Sequence, residues 1–452
     1  MARYWTPVEA ARRLGEQAGQ LHAAEFAEVR NLDFVFAPSE LYPLAPHARP
    51  PLPRIAAFAV DMDGTSTTTE PLALNALEYM VRRITGRLEV AQWPGLDERL
   101  DHPHVVGNSN FRHTEFLVQR YRDQIDRAAF ARAFIEAVAW TLANMTDAAR
   151  RRDVLRTAGH CGLGALLADS AFRRLVEGGA LDIEAVGQHV APLVAKYGPA
   201  FQPPHESEQV AAALDIYYMR YHAILGTLER GAAPQGLVAP MPGYEVFVPL
   251  IKGWLGPECD ALYEPLRAHL LQQPALGHTA AELDRYRPRL ARLAEHFRRQ
   301  PAKLALVTAS IAYETHACLR AVLREMAVRV QDWPVPADCR ARVAEGLAEE
   351  HTVFDGLVCA SDAWEARLKP HRDLYSLALF QMSVPRADYN ACIGLEDTEP
   401  GIIALRAAGI GCAIALPNRD TQRQDYRAAT EIVRGGLPEL ILARNLLLAD
   451  DA

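Results

Sequence analysis

The sequence predicts an α/β fold, with a Rossmann-like, doubly wound parallel sheet as the core and a large all-α cap domain inserted into it. Three observations lead to this prediction. Short, continuously apolar runs alternate with helical patterns in the last third of the chain, which is typical of a doubly wound parallel sheet. One further run of the same kind, residues 55–60, lies far upstream of the others. The long stretch between them has mostly helical periodicity and therefore predicts a helical insertion after the first strand.

Length and composition limit the functional classes. A chain of 452 residues predicts about two or three domains. The net charge of −8 argues against a nucleic-acid-binding surface, which requires a basic excess. No apolar run of about 18 residues occurs, so no membrane helix is predicted. The seven cysteines are scattered, and the N-terminus lacks the apolar centre of a secretory signal. We therefore expect a cytoplasmic protein with no nucleic-acid or membrane partner.

The domains are predicted in chain order. Residues 1–53 are expected to form an N-terminal helical extension and linker, because a helical period continues to about residue 30 and a proline-rich loop follows. The core is predicted to comprise residues 54–71 and 302–452. The helical cap is predicted to comprise residues 72–301. The clearest helical patterns in the cap lie at 130–145 and 208–229.

The core elements follow from apolar runs that are short enough to be strands buried on both faces. The predicted strands are residues 55–60, 303–307, 354–359, 391–395 and 412–416. The predicted helices between them are residues 313–326, 374–381 and 401–408.

Polar residues follow several of these strands. Ligands of open α/β sheets bind beyond the carboxyl ends of the strands, so these residues are the candidates for a site. They are Asp61 and Asp63 after the first strand, Thr308 after the second, Glu396 and Asp397 after the fourth, and Lys369 in a loop that opens a helix.

This set of carboxylates, hydroxyl and ammonium suits phosphoryl transfer. A carboxylate can attack phosphorus and form a covalent intermediate, which divides one difficult step into two. The phosphate dianion repels that carboxylate, so a magnesium ion is expected to neutralise the site, and Mg²⁺ prefers oxygen ligands. A lysine and a hydroxyl then stabilise the charge on the equatorial oxygens.

Four segments resemble, in order, the four motifs of the haloacid dehalogenase (HAD) superfamily. Asp61-Met62-Asp63-Gly64-Thr65 is similar to its DxDGT signature, and Leu306-Val307-Thr308 to its second motif. Lys369-Pro370, followed by Asp373 and Tyr375, resembles the third. Gly394-Leu395-Glu396-Asp397-Thr398, followed by Gly401, resembles the fourth. The Glu396-Asp397 pair and Glu70-Pro71 resemble the β-phosphoglucomutase-like branch, and the cap would then be enlarged.

The resemblance implies a role for each matching residue. Asp61 is the expected nucleophile, and Asp63 the acid that protonates the leaving group and later activates water. Thr308 would bind the transferring phosphoryl group, and Lys369 would order Asp61 and offset charge. Mg²⁺ would be held by Asp61, Asp397 and the backbone carbonyl of Asp63, with Glu396 acting directly or through water.

The sequence departs from the family pattern in three places. Ser66, Thr67, Thr68 and Thr69 follow the first motif, where the family has an apolar residue. Extra residues near 330–350 lengthen the connection to the third strand. Pro242-Gly243 resembles the point at which such caps return to the core, yet a long stretch still separates it from Thr308, so a second insertion is an alternative to a single cap.

These features predict an HAD-like phosphatase that hydrolyses a phosphate monoester, with a small phosphorylated metabolite as its substrate. A phosphomutase of the β-phosphoglucomutase type is the first alternative, because it shares all four motifs and passes the phosphoryl group to a sugar hydroxyl rather than to water. A non-catalytic binding protein that retains the HAD fold is the second.

Overall fold

The computed structural model describes residues 5–31, 36–105, 110–231, 236–362 and 367–448. The strands are β1 (Glu25–Arg30), β2 (Ser39–Leu44), β3 (Ala57–Asp61), β4 (Lys303–Val307), β5 (Gly356–Val358), β6 (Cys392–Glu396), β7 (Cys412–Ala415) and β8 (Glu431–Ile432). The first half of the helices comprises α1 (Pro7–Gln20), α2 (Glu70–Thr85), α3 (His102–Val105), α4 (Asn110–Arg120), α5 (Arg127–Asn144), α6 (Ala148–His160), α7 (Gly164–Ala168), α8 (Ser170–Glu177), α9 (Val186–Tyr197) and α10 (Glu206–Glu229). The second half comprises α11 (Tyr244–Ile251), α12 (Tyr263–Leu271), α13 (Ala280–Arg299), α14 (Ala312–Gln331), α15 (Ala337–Gly346), α16 (Glu350–Val353), α17 (Asp373–Gln381), α18 (Glu399–Ala407) and α19 (Gly436–Leu442).

The main sheet is a six-stranded parallel sheet with the order β5-β4-β3-β6-β7-β8. Its central strands are buried along their whole length, as their continuous apolar runs predict. Strand β3 lies in the centre because Ala57–Asp61 pairs with β4 on one side and β6 on the other. The predicted α/β fold, with a doubly wound parallel sheet, is therefore confirmed, and β8 extends the sheet beyond the predicted strands.

The chain divides into two compact units. The first comprises residues 1–68 and 238–452, and the second comprises residues 69–237. In the described part of the second unit the regular elements are helices, with α5 buried along most of its length and packed against α2, α9 and α10. No described helix of the chain is both long enough and apolar enough to cross a membrane.

The division of the chain differs from the predicted cap of residues 72–301. Residues 238–301 carry helices as expected, but these helices, α11, α12 and α13, belong to the first unit. The cause is side-chain packing. Phe247 of α11 and Phe297 of α13 are fully buried against Phe58 of the central strand, with ring centroids 5.3 and 6.3 Å away. Helical periodicity alone does not show which core a helix covers.

The N-terminal region is only partly helical, so the predicted helical extension of residues 1–53 needs correction. Helix α1 begins after Thr6, whose side chain and Glu9 form a capping box, and it ends at Gln20. Strands β1 and β2 then form an antiparallel pair in which Glu25 lies opposite Leu44 and Arg30 opposite Ser39. Local periodicity favoured helix for residues 25–30, whereas pairing with a later segment makes them a strand.

The unusual run after the first motif is ordered by hydrogen bonds. Ser66 Oγ donates to the carbonyl of Asp61 (2.7 Å), and the amides of Ser66 and Thr67 donate to the carbonyl of Met62 (3.0 and 2.9 Å). The Thr68 amide donates to the carbonyl of Ala239 (2.8 Å). Ser66 and Thr67 are buried, Thr68 is half-buried and all three are hydrogen-bonded, so they brace the turn that follows Asp61 instead of forming a loose connection.

Candidate active site

The site lies at the carboxyl edge of the main sheet. Asp61 is the last residue of β3, Thr308 follows β4, and Glu396 and Asp397 end and follow β6. Parallel pairing in register places Asp61 beside Val307 and Val60 beside Leu395. The side chains after these strands therefore emerge at one edge, where ligands of open α/β sheets bind.

Lys369 connects two of the carboxylates. Its ammonium donates to Asp61 Oδ1 and to Glu396 Oε1, the latter at 2.6 Å. Burial by itself lowers the pKa of Lys369, but the Asp61 and Glu396 carboxylates more than offset this and keep the pKa above its ordinary value. The lysine is therefore a fixed positive charge at neutral pH, placed against the predicted nucleophile.

Asp61 is almost completely buried, with 5% of its surface exposed. Burial raises the pKa of Asp61 well above its ordinary range, while the Lys369 ammonium opposes that rise and the charges of Glu396 and Asp63 add to it. Positive charge near Asp61 therefore favours the ionised carboxylate, which is the form that can attack phosphorus.

Glu396 is held by donors on both of its oxygens. Oε1 accepts from Lys369 and from the Tyr375 hydroxyl at 2.9 Å, and Oε2 accepts from the Thr398 amide at 3.0 Å and its hydroxyl at 2.9 Å. Gly401 leaves the room for this carboxylate, since a Cβ atom there would lie 1.7 Å from Oε1. Glu396 thus orients Lys369 in addition to lying among the predicted magnesium ligands.

Asp397 is fixed by residues from two other segments. Its Oδ2 accepts from Asn418 Nδ2 at 2.8 Å and its Oδ1 accepts from Thr65 Oγ1 at 3.1 Å. Gly64 adopts φ +81° directly beside it, and a Cβ atom there would lie 2.5 Å from Asp397 Oδ2. The glycine of the first motif is therefore required both by its backbone conformation and by the close approach of the carboxylate.

Asp63 and Thr308 form a second contact at the same edge. The Thr308 hydroxyl donates to Asp63 Oδ2 at 2.8 Å and accepts from the Ser310 amide at 3.0 Å. Thr308 is buried, whereas Asp63 is partly exposed. The predicted acid and the predicted phosphoryl-binding hydroxyl thus lie side by side.

A group of three buried carboxylates could hold a cation. Within the described residues, one oxygen each from Asp61, Glu396 and Asp397 lie within 4.8 Å of one another. Of the four residues predicted to hold Mg²⁺, the structure brings these three together through their side chains. The carboxylate of the fourth, Asp63, accepts from Thr308 instead, and its predicted contribution was the backbone carbonyl.

Several supporting residues were missed by reasoning from the sequence. Asn418 follows β7, so the rule that selects polar residues after strands would have found it if applied to the fifth apolar run. Tyr375 and Thr398 were noted only as parts of motifs, and nothing in the local sequence shows that both donate to Glu396.

A cavity of about 130 Å³ adjoins the first motif, and its lining includes Gly64, Thr65 and Asn418. His269 of α12 and Gln273, whose side-chain nitrogens lie 2.8 Å apart, line it as well. These two residues lie between Pro242-Gly243 and the second core strand, and no motif identified them in the sequence.

No family model matches the chain, and neither does any curated protein. Solved structures similar to it include the Rhodobacter sphaeroides protein CbbY in complex with phosphate, at 15% identity over 85% of this chain and 96% of that one, with a TM-score of 0.37. A Deinococcus radiodurans HAD family hydrolase with bound phosphate and sodium is 14% identical over 84% and 91% of the two chains (TM-score 0.36). A β-phosphoglucomutase from Clostridium difficile is 11% identical over 85% and 93% (TM-score 0.35).

Similarity at this level says nothing about activity, and the assignment of the fold rests on the chain itself. The strand order places β3 between β4 and β6, and the segments that resemble the four HAD motifs meet at the carboxyl edge of these strands. The fold of this chain is accordingly an α/β fold with a doubly wound parallel sheet, and the four segments that resemble the HAD motifs meet at one edge of it.

Proposed function

We propose that this protein is a magnesium-dependent phosphatase that hydrolyses a small phosphate monoester through an aspartyl-phosphate on Asp61. The observation that carries the proposal is the environment of Asp61. It is a buried carboxylate at the end of the central strand, bonded to the Lys369 ammonium and adjacent to two further carboxylates. A nucleophile must be desolvated and ionised: burial provides the first condition, and the Lys369 ammonium, together with a bound cation, would favour the second.

The other residues would act around that nucleophile. Asp61 forms the new bond to phosphorus as the bond to the ester oxygen breaks, and Asp63 gives that oxygen its proton. Asp63, then ionised, takes a proton from the water that attacks the aspartyl-phosphate and releases phosphate. Thr308 and Lys369 donate hydrogen bonds to the phosphoryl oxygens, where negative charge accumulates. The partial exposure of Asp63 suits a group that exchanges protons with substrate and water.

The residues present fit a magnesium ion. The donors are all oxygens, three carboxylates lie within 4.8 Å of one another, and Gly64 keeps the space beside Asp397 free of a side chain. Lys369 offsets part of their negative charge. Asp61, Asp397 and Glu396, with the Asp63 carbonyl, would hold the ion, which supplies positive charge at the phosphoryl oxygens.

The substrate class follows from the insertion. Large helical insertions after the first strand are suited to selecting small phosphorylated metabolites, and residues 69–237 form such a helical unit. Thr68 and Ala239, where the chain leaves and re-enters the first unit, are hydrogen-bonded to each other.

The test is phosphate release from a panel of small phosphate monoesters, measured with and without Mg²⁺. We expect turnover that requires Mg²⁺ and is lost in Asp61→Asn. Asp425→Asn is the matched control, because Asp425 forms an exposed ion pair with Arg427 and should leave turnover unchanged. Wild-type turnover that survives in Asp61→Asn would exclude Asp61 as the nucleophile.

Addition of a sugar bisphosphate separates the phosphatase from the phosphomutase. Transfer of the phosphoryl group between hydroxyls of a sugar phosphate, with no phosphate released, would identify the mutase. Binding of the esters without either reaction would identify a binding protein.

A further inference from the structure

The N-terminal hairpin, formed by β1 and β2, contacts the loop that carries Lys369. The Tyr42 hydroxyl of β2 lies 2.5 Å from His371 Nδ1, and the two rings meet edge to face at 5.6 Å. Arg367 Nη1 donates to Glu40 Oε2 at 2.6 Å. The hairpin thus binds residues two positions before and two positions after Lys369.

The hairpin is itself anchored to the core. Arg406 of α18 is 1% exposed and donates to the carbonyl of Ala45 (Nε, 2.9 Å) and to Glu25 Oε2 (2.6 Å). The Ala45 amide donates back to the carbonyl of Arg406 at 3.0 Å. Because α18 begins directly after Asp397 and Thr398, the anchor and the site share one rigid element. A buried guanidinium with several partners is costly to disrupt, so the hairpin has a fixed position.

Hydrogen bonds within the loop from Arg367 to His371 connect the hairpin contacts to Lys369. The His371 amide donates to the carbonyl of Leu368 at 3.1 Å, which closes a turn around Lys369 and Pro370. The Arg367 amide donates to Asp373 Oδ2 at 2.9 Å. Fixing both ends of this turn fixes the backbone from which the flexible lysine side chain reaches Asp61 and Glu396.

We propose that Tyr42 and Glu40 are positioning residues that hold the Lys369 loop so that the ammonium meets Asp61. The inference rests on the proposed function for its effect on turnover, but its effect on Lys369 itself is independent of the reaction. It assigns a role in the site to the N-terminal region, which precedes the first motif.

The experiment compares Tyr42→Phe and Glu40→Gln with the wild type in two measurements. The first is steady-state turnover of the best ester in the panel. The second is acylation of Lys369 by acetic anhydride, followed by peptide mass spectrometry, with the exposed Lys196 as the internal reference. The chain contains only four lysines, so each acylated peptide is readily assigned. The Tyr42 hydroxyl also donates to Glu40 Oε2 at 3.1 Å, so Tyr263→Phe, which removes a tyrosine–carboxylate bond to Asp284 at 2.9 Å within the first unit, is the matched control.

We expect Tyr42→Phe to lower kcat by roughly threefold to tenfold, the effect of losing the hydrogen bonds to His371 and Glu40 that align a catalytic group. KM should not change comparably. Acylation of Lys369 should rise severalfold relative to Lys196. Glu40→Gln should act in the same direction, and Tyr263→Phe should leave both measurements unchanged.

Unchanged acylation of Lys369 in both Tyr42→Phe and Glu40→Gln overturns the inference, whatever the turnover. An equal increase in Tyr263→Phe overturns it as well, because the effect would then be a general loosening. If the wild type hydrolyses no ester, the proposed function fails, and the acylation result still decides whether the hairpin positions Lys369.

Discussion

Buried charges occur in both units, and they are balanced differently. In the second unit Arg150 pairs with Asp215, with 11% and 3% of the side chains exposed, and its guanidinium lies 4.4 Å from the ring centroid of Tyr218. Arg83 pairs with Glu136 in the same unit. In the first unit three buried carboxylates converge on one region, and Lys369 contacts two of them.

The difference separates two uses of buried charge. A carboxylate paired with a guanidinium is neutral as a pair, so the pairs of the second unit require no additional cation. Three carboxylates near one ammonium retain negative charge, which in the interior is balanced by a bound cation or, without one, by protonation of a carboxylate. This contrast supports the proposed magnesium site.

The largest expected effect is that of Lys369→Met. Removal of the ammonium leaves Asp61 and Glu396 buried without it, which should lower the free energy of unfolding by about 3–5 kcal/mol. Turnover should fall by roughly 100- to 1,000-fold because a donor to the phosphoryl oxygens is also lost. Chemical denaturation and phosphate release measure the two effects. Turnover close to that of the wild type would show that Lys369 is only structural.

Arg150→Met tests the other half of the comparison. It leaves Asp215 buried without its guanidinium, so the second unit should lose about 3–5 kcal/mol of stability. The double variant Arg150→Met/Asp215→Leu should recover most of that loss, because both charges are then absent. Denaturation of the wild type, Arg150→Met, Asp215→Leu and the double variant gives the coupling energy between the two charges. A double variant no more stable than Arg150→Met would show that the charges do more than balance each other.

The smallest expected effect is the pH dependence of the metal-free protein. Burial raises the pKa of Asp61 in the folded chain, so folding favours its protonated form. That contribution to stability is complete below the pKa of Asp61 in the unfolded chain, about 4, and is lost as the pH rises through its pKa in the folded chain. The loss is about 1.4 kcal/mol for each unit by which the two pKa values differ. In EDTA, the wild type should therefore lose stability relative to Asp61→Asn as the pH rises above about 4. Saturating Mg²⁺ should remove this trend, and a trend unaffected by Mg²⁺ would place the cation elsewhere.

The main sheet and the candidate site residues could be read from the sequence for local reasons. Strands such as 303–307 are short and apolar except for Lys303 at the start, and Asp61, Thr308 and Glu396 follow or end such runs. Parallel strands share one carboxyl edge, so residues distant in sequence could be expected at the same place. The hydrogen-bond partners of those residues could not be predicted in the same way. Tyr375 and Thr398 reach Glu396 through side-chain geometry that sequence spacing does not encode.

The sequence by itself determined the class of fold, the order of the core strands along the chain and the set of polar residues at one sheet edge, since hydrophobic periodicity and strand ends are local properties. Only the tertiary structure decided which core the helices of residues 238–301 cover, that residues 25–30 form a strand, and that Tyr42 and Glu40 meet the Lys369 loop. These features depend on contacts between distant segments. The local preferences for helix and strand there differ by little, so burial, strand pairing and the buried Arg406 decide which structure forms.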